Sequence, residues 1–365
     1  MTATMLGLAI FGANCSSGRT YATLPERWVA SWENNLRLAQ LADEIGIEAM
    51  VPIARWKGYG GASNPNGTSF ESIAWASGLL AATRRIHVFC TVHVPLHHPL
   101  VAAKQMATAD HIGQGRLGVN IVCGWNEDEF QMFGATKKEH DVRYEQGEEW
   151  WTIVKRIWTG EAPFAFEGTH YRLRHVAGSP TPHRGRTPTM MNAGSSDTGR
   201  RFAIKLSDMH FDAVETPEAS TARIAETKRL ARAQGREIQV WTPVGIICRP
   251  TQKEADDYIQ HVVGHADWGA IGYLAAMHEK DGRPRTDPQR SIHTERNPAE
   301  RRALARGSYC AIGDPDGVTR QFARLRSAGL DGLAINFVDY LNELPYFAAE
   351  VLPRLERLGL RVTAA

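Results

Sequence analysis

Residues 115–144 read GRLGVNIVCGWNEDEFQMFGATKKEHDVRY. The run opens as a buried strand, with Leu117, Val119, Ile121 and Val122 at apolar, β-prone positions. It breaks at Cys123–Gly124 into a polar excursion carrying Trp125, Glu129, His140, Arg143 and Tyr144. A strand ending in aromatic, acidic, basic and amide side chains is the way barrel enzymes build sites, because the rigid strand aims the groups it delivers. The stretch therefore predicts an α/β enzyme whose site lies at the C-terminal ends of its strands.

Working outward, the same strand-then-helix rhythm recurs. Strands are expected over 6–14, 47–53, 86–92, 116–122, 189–193, 209–214, 240–247 and 332–337. Amphipathic or capped helical runs follow them, among them 32–45, 71–82 with Ser69 or Ser72 as its cap, 99–112 opened by Pro99, and about 143–158. Residues 264–307 are the least regular. FAFEGTHYRLRH at 164–175 alternates with period two and predicts a small hairpin. Eight such units fit a closed (β/α)8 TIM barrel better than an open sheet. The expected architecture is one domain over 1–365, with insertions near 55–69, 123–142, 159–188 and 264–307.

Composition narrows the function classes. Hydrophobic residues at 43% and charged residues at 22% read as a soluble globular protein. A net charge of +2, from 42 basic and 40 acidic residues with no basic block, gives no electrostatic case for nucleic acid. The start has no basic leader and no run approaches membrane-span length, so no membrane association is expected. Five cysteines without short spacing predict a reducing, cytoplasmic setting and no metal cluster.

Among chemical motifs, no Gly-x-Ser-x-Gly elbow, phosphate loop or Gly-x-Gly-x-x-Gly turn occurs. His93, His97 and His98 in TVHVPLHHP lack the carboxylate a metal site needs, and no metal is expected. What remains is an anion- and ring-binding set. Arg143 and Tyr144 stand at one helix start, and Gly194–Ser195–Ser196–Asp197 at another, where backbone N–H groups and a hydroxyl can hold a phosphate. An ordinary helix cap is the plain alternative for Ser196. Asn120, inside an apolar strand, must satisfy its amide through either a core hydrogen bond or a polar ring.

Five blocks in order carry a resemblance: GRLGVNIVCGWNEDEF, EHDVRYEQGEEW, RIWTG with FEGTHYRLRH, AGSSDTGRRFA, and GDPDGVTRQFARLRSAGLDGLAINFVDYLNELPYF. Together they resemble the bacterial luciferase-like flavin monooxygenases, in the branch containing pyrimidine and dimethylsulfone monooxygenases. The resemblance implies a barrel using reduced FMN (FMNH2) and O2, through a peroxyflavin, on a small N-heterocyclic, amide or organosulfur substrate. It also implies a separate NAD(P)H-dependent flavin reductase and a homodimer or homotetramer.

Residue by residue, the resemblance implies flavin contacts from Ala54, Arg55, Asn120 and Glu129 at the ring, and from Arg143, Tyr144 and Ser196 at the phosphate end. Trp56, Tyr59 and Trp125 are the expected substrate contacts. His93 and His97, with Asn120, are the expected catalytic groups, the imidazoles being able to switch near neutral pH. Residues 264–307 are an expected lid, with a surface insertion as the alternative. The chain departs from the pyrimidine enzymes at Ala54–Arg55–Trp56 and at HVPLHHP, around the expected substrate space. A deazaflavin-dependent dehydrogenase of the same barrel type and a non-enzymatic flavin-binding protein are the competing readings.

Overall fold

A computed structural model of the chain describes residues 5–160, 163–214, 216–281 and 298–362. The strands, in chain order, are β1 (Gly7–Phe11), β2 (Ala49–Val51), β3 (His87–His93), β4 (Leu117–Val122), β5 (Phe164–Glu167), β6 (Arg172–Val176), β7 (Thr189–Asn192), β8 (Met209–Phe211), β9 (Gln239–Cys248), β10 (Tyr309–Gly313) and β11 (Gly332–Asn336). Eight of them close a parallel ring in the order β1, β2, β3, β4, β7, β8, β9, β11 and back to β1. This is the expected α/β barrel. β5 and β6 form the expected antiparallel hairpin outside it.

The two-residue side-chain period explains how these strands are buried on both faces. Along β3, Val88, Cys90 and Val92 join the core packed against the helices, while Phe89 turns into the ring. Lower in the ring, Trp241 fills the space beside Gly7 and Gly332. A Cβ at Gly7 would lie 2.6 Å from that indole, so bulk at one position demands glycine at the others. Phe11 and Phe211 meet edge-on, with centroids 5.0 Å apart. The barrel is thus plugged by apolar side chains and can open only at its C-terminal mouth.

Several local expectations need correction. The helix Ser72–Ala82 is capped by Glu71, whose carboxylate accepts from the N–H groups of Ile73 and Ala74. Ser72 instead donates to the Thr91 carbonyl at 2.6 Å. The helix expected from about 143 begins at His140, because its polar first turn gives no apolar periodicity to read. The 123–142 insertion contains its own short helix, Glu127–Met132.

β10 was not expected. It pairs only with β9, setting Tyr309 beside Val244, the residue that Ile335 of β11 also faces. β10 therefore begins where the ring strands end, and the helix Pro298–Ala305 before it lies at the mouth. Of the expected lid over 264–307, the parts described are the helices Trp268–Lys280 and Pro298–Ala305; residues 282–297 lie outside the described residues.

Candidate active site

The alternation that sends Val92 and Ile121 outward turns Thr91, His93 and Asn120 toward the inside of the mouth. Asn120 Nδ2 donates to Thr91 Oγ1 at 3.2 Å, and Thr91 donates onward to the Pro52 carbonyl at 2.8 Å. Asn120 Oδ1 is buried without a partner, and so are His93 Nδ1 and Asn126 Oδ1. A small pocket is lined by His93, Leu96, Gly124, Trp125, Asn126, Glu129 and Phe130. Buried polar atoms normally have partners, so the unpaired Asn126 Oδ1 and His93 Nδ1 on the pocket lining, with Asn120 Oδ1 on the neighbouring strand, mark a candidate place for a ligand.

Two expected ring-side residues meet here. Arg55 Nη1 donates to Glu129 Oε1 at 3.0 Å, and both side chains are sealed from solvent. Glu129 also accepts from the backbone N–H of Trp56 at 2.9 Å, which ties the 55–69 loop to the helix Glu127–Met132. Burial by itself disfavours the Arg55 charge, but Tyr59 and Glu129 outweigh it and hold the guanidinium above its ordinary range. Its plane lies 5.2 Å from the ring centroids of both Tyr59 and Trp125. Ala54 is half-buried at the start of the same loop, whereas Trp56 is exposed and stacks edge-on against Phe133 at 4.9 Å.

The three histidines separate in kind. His93 is fully buried, and desolvation first, then the Arg55 charge and His97, push it down to about 3. The expectation that it switches near neutral pH is corrected: His93 is a neutral imidazole throughout that range. His97 Nδ1 contacts the His93 carbonyl at 3.1 Å, and its own carbonyl accepts from Trp150 Nε1. His98 is exposed and caps the helix Pro99–Ile112.

Tyr144 and Ser196, both expected at the phosphate end, meet at the turn after β7, which is tied to β4. Asn192 Nδ2 donates to the Ile121 carbonyl at 2.7 Å, and its Oδ1 accepts from Gly194 N–H at 2.9 Å, which fixes the turn after β7. Ser196 caps the helix Asp197–Leu206, accepting from Gly199 N–H at 3.0 Å. Tyr144 points its hydroxyl into this turn: a Cβ at Gly194 would lie 2.8 Å from it, and one at Gly199 2.6 Å. The two glycines let this turn, the helix start and the Tyr144 hydroxyl pack closely into a backbone cradle at a helix N-terminus, the setting that suits an anion. Arg143 stands one turn into the helix His140–Thr159. It donates to the Gly124 carbonyl and, at 3.0 Å, to Asp281, and its Nε is unpaired.

The family model described as "Luciferase-like monooxygenase" matches residues 6–332. The chain belongs to the luciferase-like monooxygenase family. It is 29% identical over 355 residues to an FMNH2-dependent dimethylsulfone monooxygenase of Pseudomonas fluorescens, covering 96% of this chain and 95% of that one. It is 25% identical over 359 residues to pyrimidine monooxygenase RutA of Escherichia coli, covering 96% and 92%. The fold matches that of DmoA from Hyphomicrobium sulfonivorans with a TM-score of 0.87 and 18% identity, over 99% of this chain and 90% of the other. The resemblance read from the sequence blocks is thereby borne out at the level of family and branch.

Within this family barrel, sequence reasoning missed Thr91, Asn126, Asn192 and His210. Thr91 was legible in principle, since it follows Phe89 by two residues on a strand whose alternate positions face inward. His210, 1% exposed, contacts the Gly194 carbonyl through Nε2 at 3.1 Å; burial holds it below the ordinary histidine range. Only the three-dimensional turn after β7 reveals that contact. Among the described residues, no three His, Cys, Asp or Glu side chains could hold a metal ion. The five cysteines are free and buried, and no described helix is long and apolar enough to cross a membrane.

Proposed function

We propose that this protein is the oxygenating component of a two-component system, binding FMNH2 delivered by a separate NAD(P)H-dependent reductase and using O2 to oxygenate a small organic substrate. The observation that carries the reading is the pairing, within a luciferase-like barrel, of unpaired buried polar atoms at the mouth with a helix N-terminus across it. His93 and Asn126, which line the pocket, and Asn120 on β4 carry buried unpaired atoms, and a glycine-lined helix start lies after β7. A mononucleotide carrying a heterocycle with ring N–H donors and a terminal phosphate answers both.

When bound, reduced FMN supplies the two electrons that let one atom of O2 enter the substrate while the other leaves as water. The residues of this chain bind, aim and shield. Asn120 Oδ1 accepts from a ring N–H, held in register by its bond to Thr91. Glu129 and Arg55 form the ring-side wall with Ala54, and Ser196, Tyr144 and the Gly194 turn receive the phosphate. Arg143 closes the sugar side and keeps the Gly124 turn in place. His93, neutral and buried, holds one proton at a ring nitrogen beside the pocket and offers the other nitrogen as acceptor. Trp125, Leu96 and Phe130 keep water from the reacting face. His97 fixes the backbone that carries His93, and Trp56 and Tyr59 belong to the substrate side. A cytoplasmic setting accords with five reduced, buried cysteines.

The test is an anaerobic titration with FMNH2 and with oxidised FMN, followed by turnover with a flavin reductase, NADH and a panel of sulfones, amides and N-heterocycles. Saturable FMNH2 binding and oxygen-dependent product support the reading. Turnover that proceeds equally without oxygen would replace it with a dehydrogenase, and binding without any turnover would leave a flavin carrier.

A further inference from the structure

Beside the flavin-side pocket, across the Arg55 wall, lies a second group of unsatisfied polar atoms, and it differs in chemical sense. Tyr21 and Tyr59 are each 1% exposed, their rings meet edge-on at 5.7 Å, and neither hydroxyl has a partner. Arg55 Nε and Arg19 Nε are buried and unpaired as well. Arg55 and Arg306 stand over the Tyr59 ring, each guanidinium 5.2 Å from its centroid. Around the flavin-side pocket the unpaired amide oxygens accept, whereas each of these four atoms can donate, the two phenol oxygens also being able to accept. Buried groups with unused donor capacity are met by an acceptor-rich group.

The charge points the same way. Three arginines, Arg19, Arg55 and Arg306, face this cluster, and among the described residues the only carboxylate paired with any of them is Glu129, on Arg55. Asp267 is close by in the chain packing but is spent on the N–H and hydroxyl of Ser63 and on capping the helix Trp268–Lys280.

The arrangement is also built rather than incidental. Arg19 Nη2 donates to the Ala305 carbonyl and to Ser308 Oγ, both at 2.8 Å, and so clamps the turn that presents Arg306. Tyr21 N–H reaches the Ala303 carbonyl at 2.6 Å, tying the loop after β1 to the same segment. Leu274 and Met277 cover the two tyrosines with apolar surface, so a charge arriving here meets little competing water.

We propose that the Arg19–Tyr21–Arg55–Tyr59–Arg306 cluster is the substrate's anchor and that the substrate is an organic oxyanion, a carboxylate or sulfonate. Guanidinium forks and phenol hydroxyls together match the several in-plane lone pairs of such a head group. The loop after β2 lies three strand positions from the turn after β7, about 14 Å at ordinary strand spacing, and the loop after β1 lies four, directly across the ring. The two anions, substrate head group and FMN phosphate, therefore occupy opposite sides of the mouth, with the reacting centre between them. The inference rests on the flavin reading for what becomes of the substrate, not for its binding.

Isothermal titration of the full-length protein, with and without FMN, tests it using butane-1-sulfonate and pentanoate against their neutral counterparts, butyl methyl sulfone and pentanamide. At least one anion should bind about tenfold or more tighter than its counterpart, and the better of the two assigns the head group. Arg306→Gln should lower that anion's affinity about tenfold while leaving the neutral compound and FMN unaffected. Tyr59→Phe, which keeps the buried ring, should lower it by a smaller factor and guards against misfolding of the first variant. Equal binding within each pair, no binding of either anion, or unchanged anion affinity in both variants overturns the proposal. FMN binding without anion preference overturns the anchor alone; anion preference without FMN binding overturns the flavin reading alone.

Discussion

Glu129 Oε1 holds the Arg55 guanidinium at 3.0 Å and the Trp56 N–H at 2.9 Å, so one buried oxygen joins the loop after β2 to the helix after β4. Removing one partner of such a pair leaves the other charge buried and alone. Glu129→Ala should destabilise the protein by about 3–5 kcal/mol, read by guanidinium denaturation. The double variant Arg55→Met, Glu129→Leu should recover most of that loss, because no charge is left stranded. A double variant as unstable as Glu129→Ala would show that the pair itself, not the stranded charge, sets the stability.

Asn120 gives up little to the fold and much to the proposed cofactor. Its single bond to Thr91, at 3.2 Å, is worth about 1 kcal/mol to stability. Asn120→Ala should therefore lower stability only by that order while weakening FMN about tenfold. Fluorescence quenching of FMN against the protein measures it, and unchanged affinity would remove Asn120 from the ring contacts.

The cradle after β7 has no room for a side chain. A Cβ at Gly194 would stand 2.7 Å from the Gly199 Cα and 2.8 Å from the Tyr144 hydroxyl. Gly194→Ala should push the turn open, costing about 1–3 kcal/mol and weakening FMN much more than it weakens riboflavin, which lacks the phosphate. Equal losses for the two flavins would place the phosphate elsewhere.

His93 should imprint itself on acid stability. Its folded value of about 3 lies below the ordinary 6.5, so as pH falls the unfolded chain takes up the proton first. Stability is full above 6.5 and is lost progressively between there and about 3, at about 1.4 kcal/mol per pH unit from this group. The stability difference between the wild type and His93→Gln should accordingly shrink by about 2 kcal/mol between pH 7.5 and pH 5. A difference that stays constant would mean that His93 takes up its proton in the folded protein as readily as in the unfolded chain.

How much of this was written in the sequence depends on the kind of signal. The ring strands announced themselves because strands buried on both faces are continuous apolar runs, and 116–122 with its polar sequel placed the site at the mouth. The hairpin at 164–175 was legible from its alternation. β10 was not: Tyr309–Gly313 is short and pairs only with β9, so nothing local distinguishes it from the irregular stretch before it. At the site, Asn120, Glu129, Tyr144 and Ser196 could be named because they fall in long recognisable blocks, and Arg55 because it opens the glycine-rich loop after the second strand. Arg306 and Tyr21 could not, since their meaning comes from Tyr59 standing between elements more than two hundred residues apart in sequence. The neutral state of His93 was likewise invisible, because burial is a property of the packed mouth and not of the motif.

The central claim is that this barrel holds reduced FMN and governs its reaction with oxygen. Rapid mixing of the anaerobic protein–FMNH2 complex with oxygenated buffer, followed by the absorbance of oxidised flavin, tests it most directly. The account predicts that oxidised FMN appears after a lag, well behind the oxidation of free FMNH2 under the same conditions, and that Asn120→Ala shortens the lag. Oxidation at the rate of free FMNH2, with a trace indistinguishable from that of flavin in buffer, would contradict it.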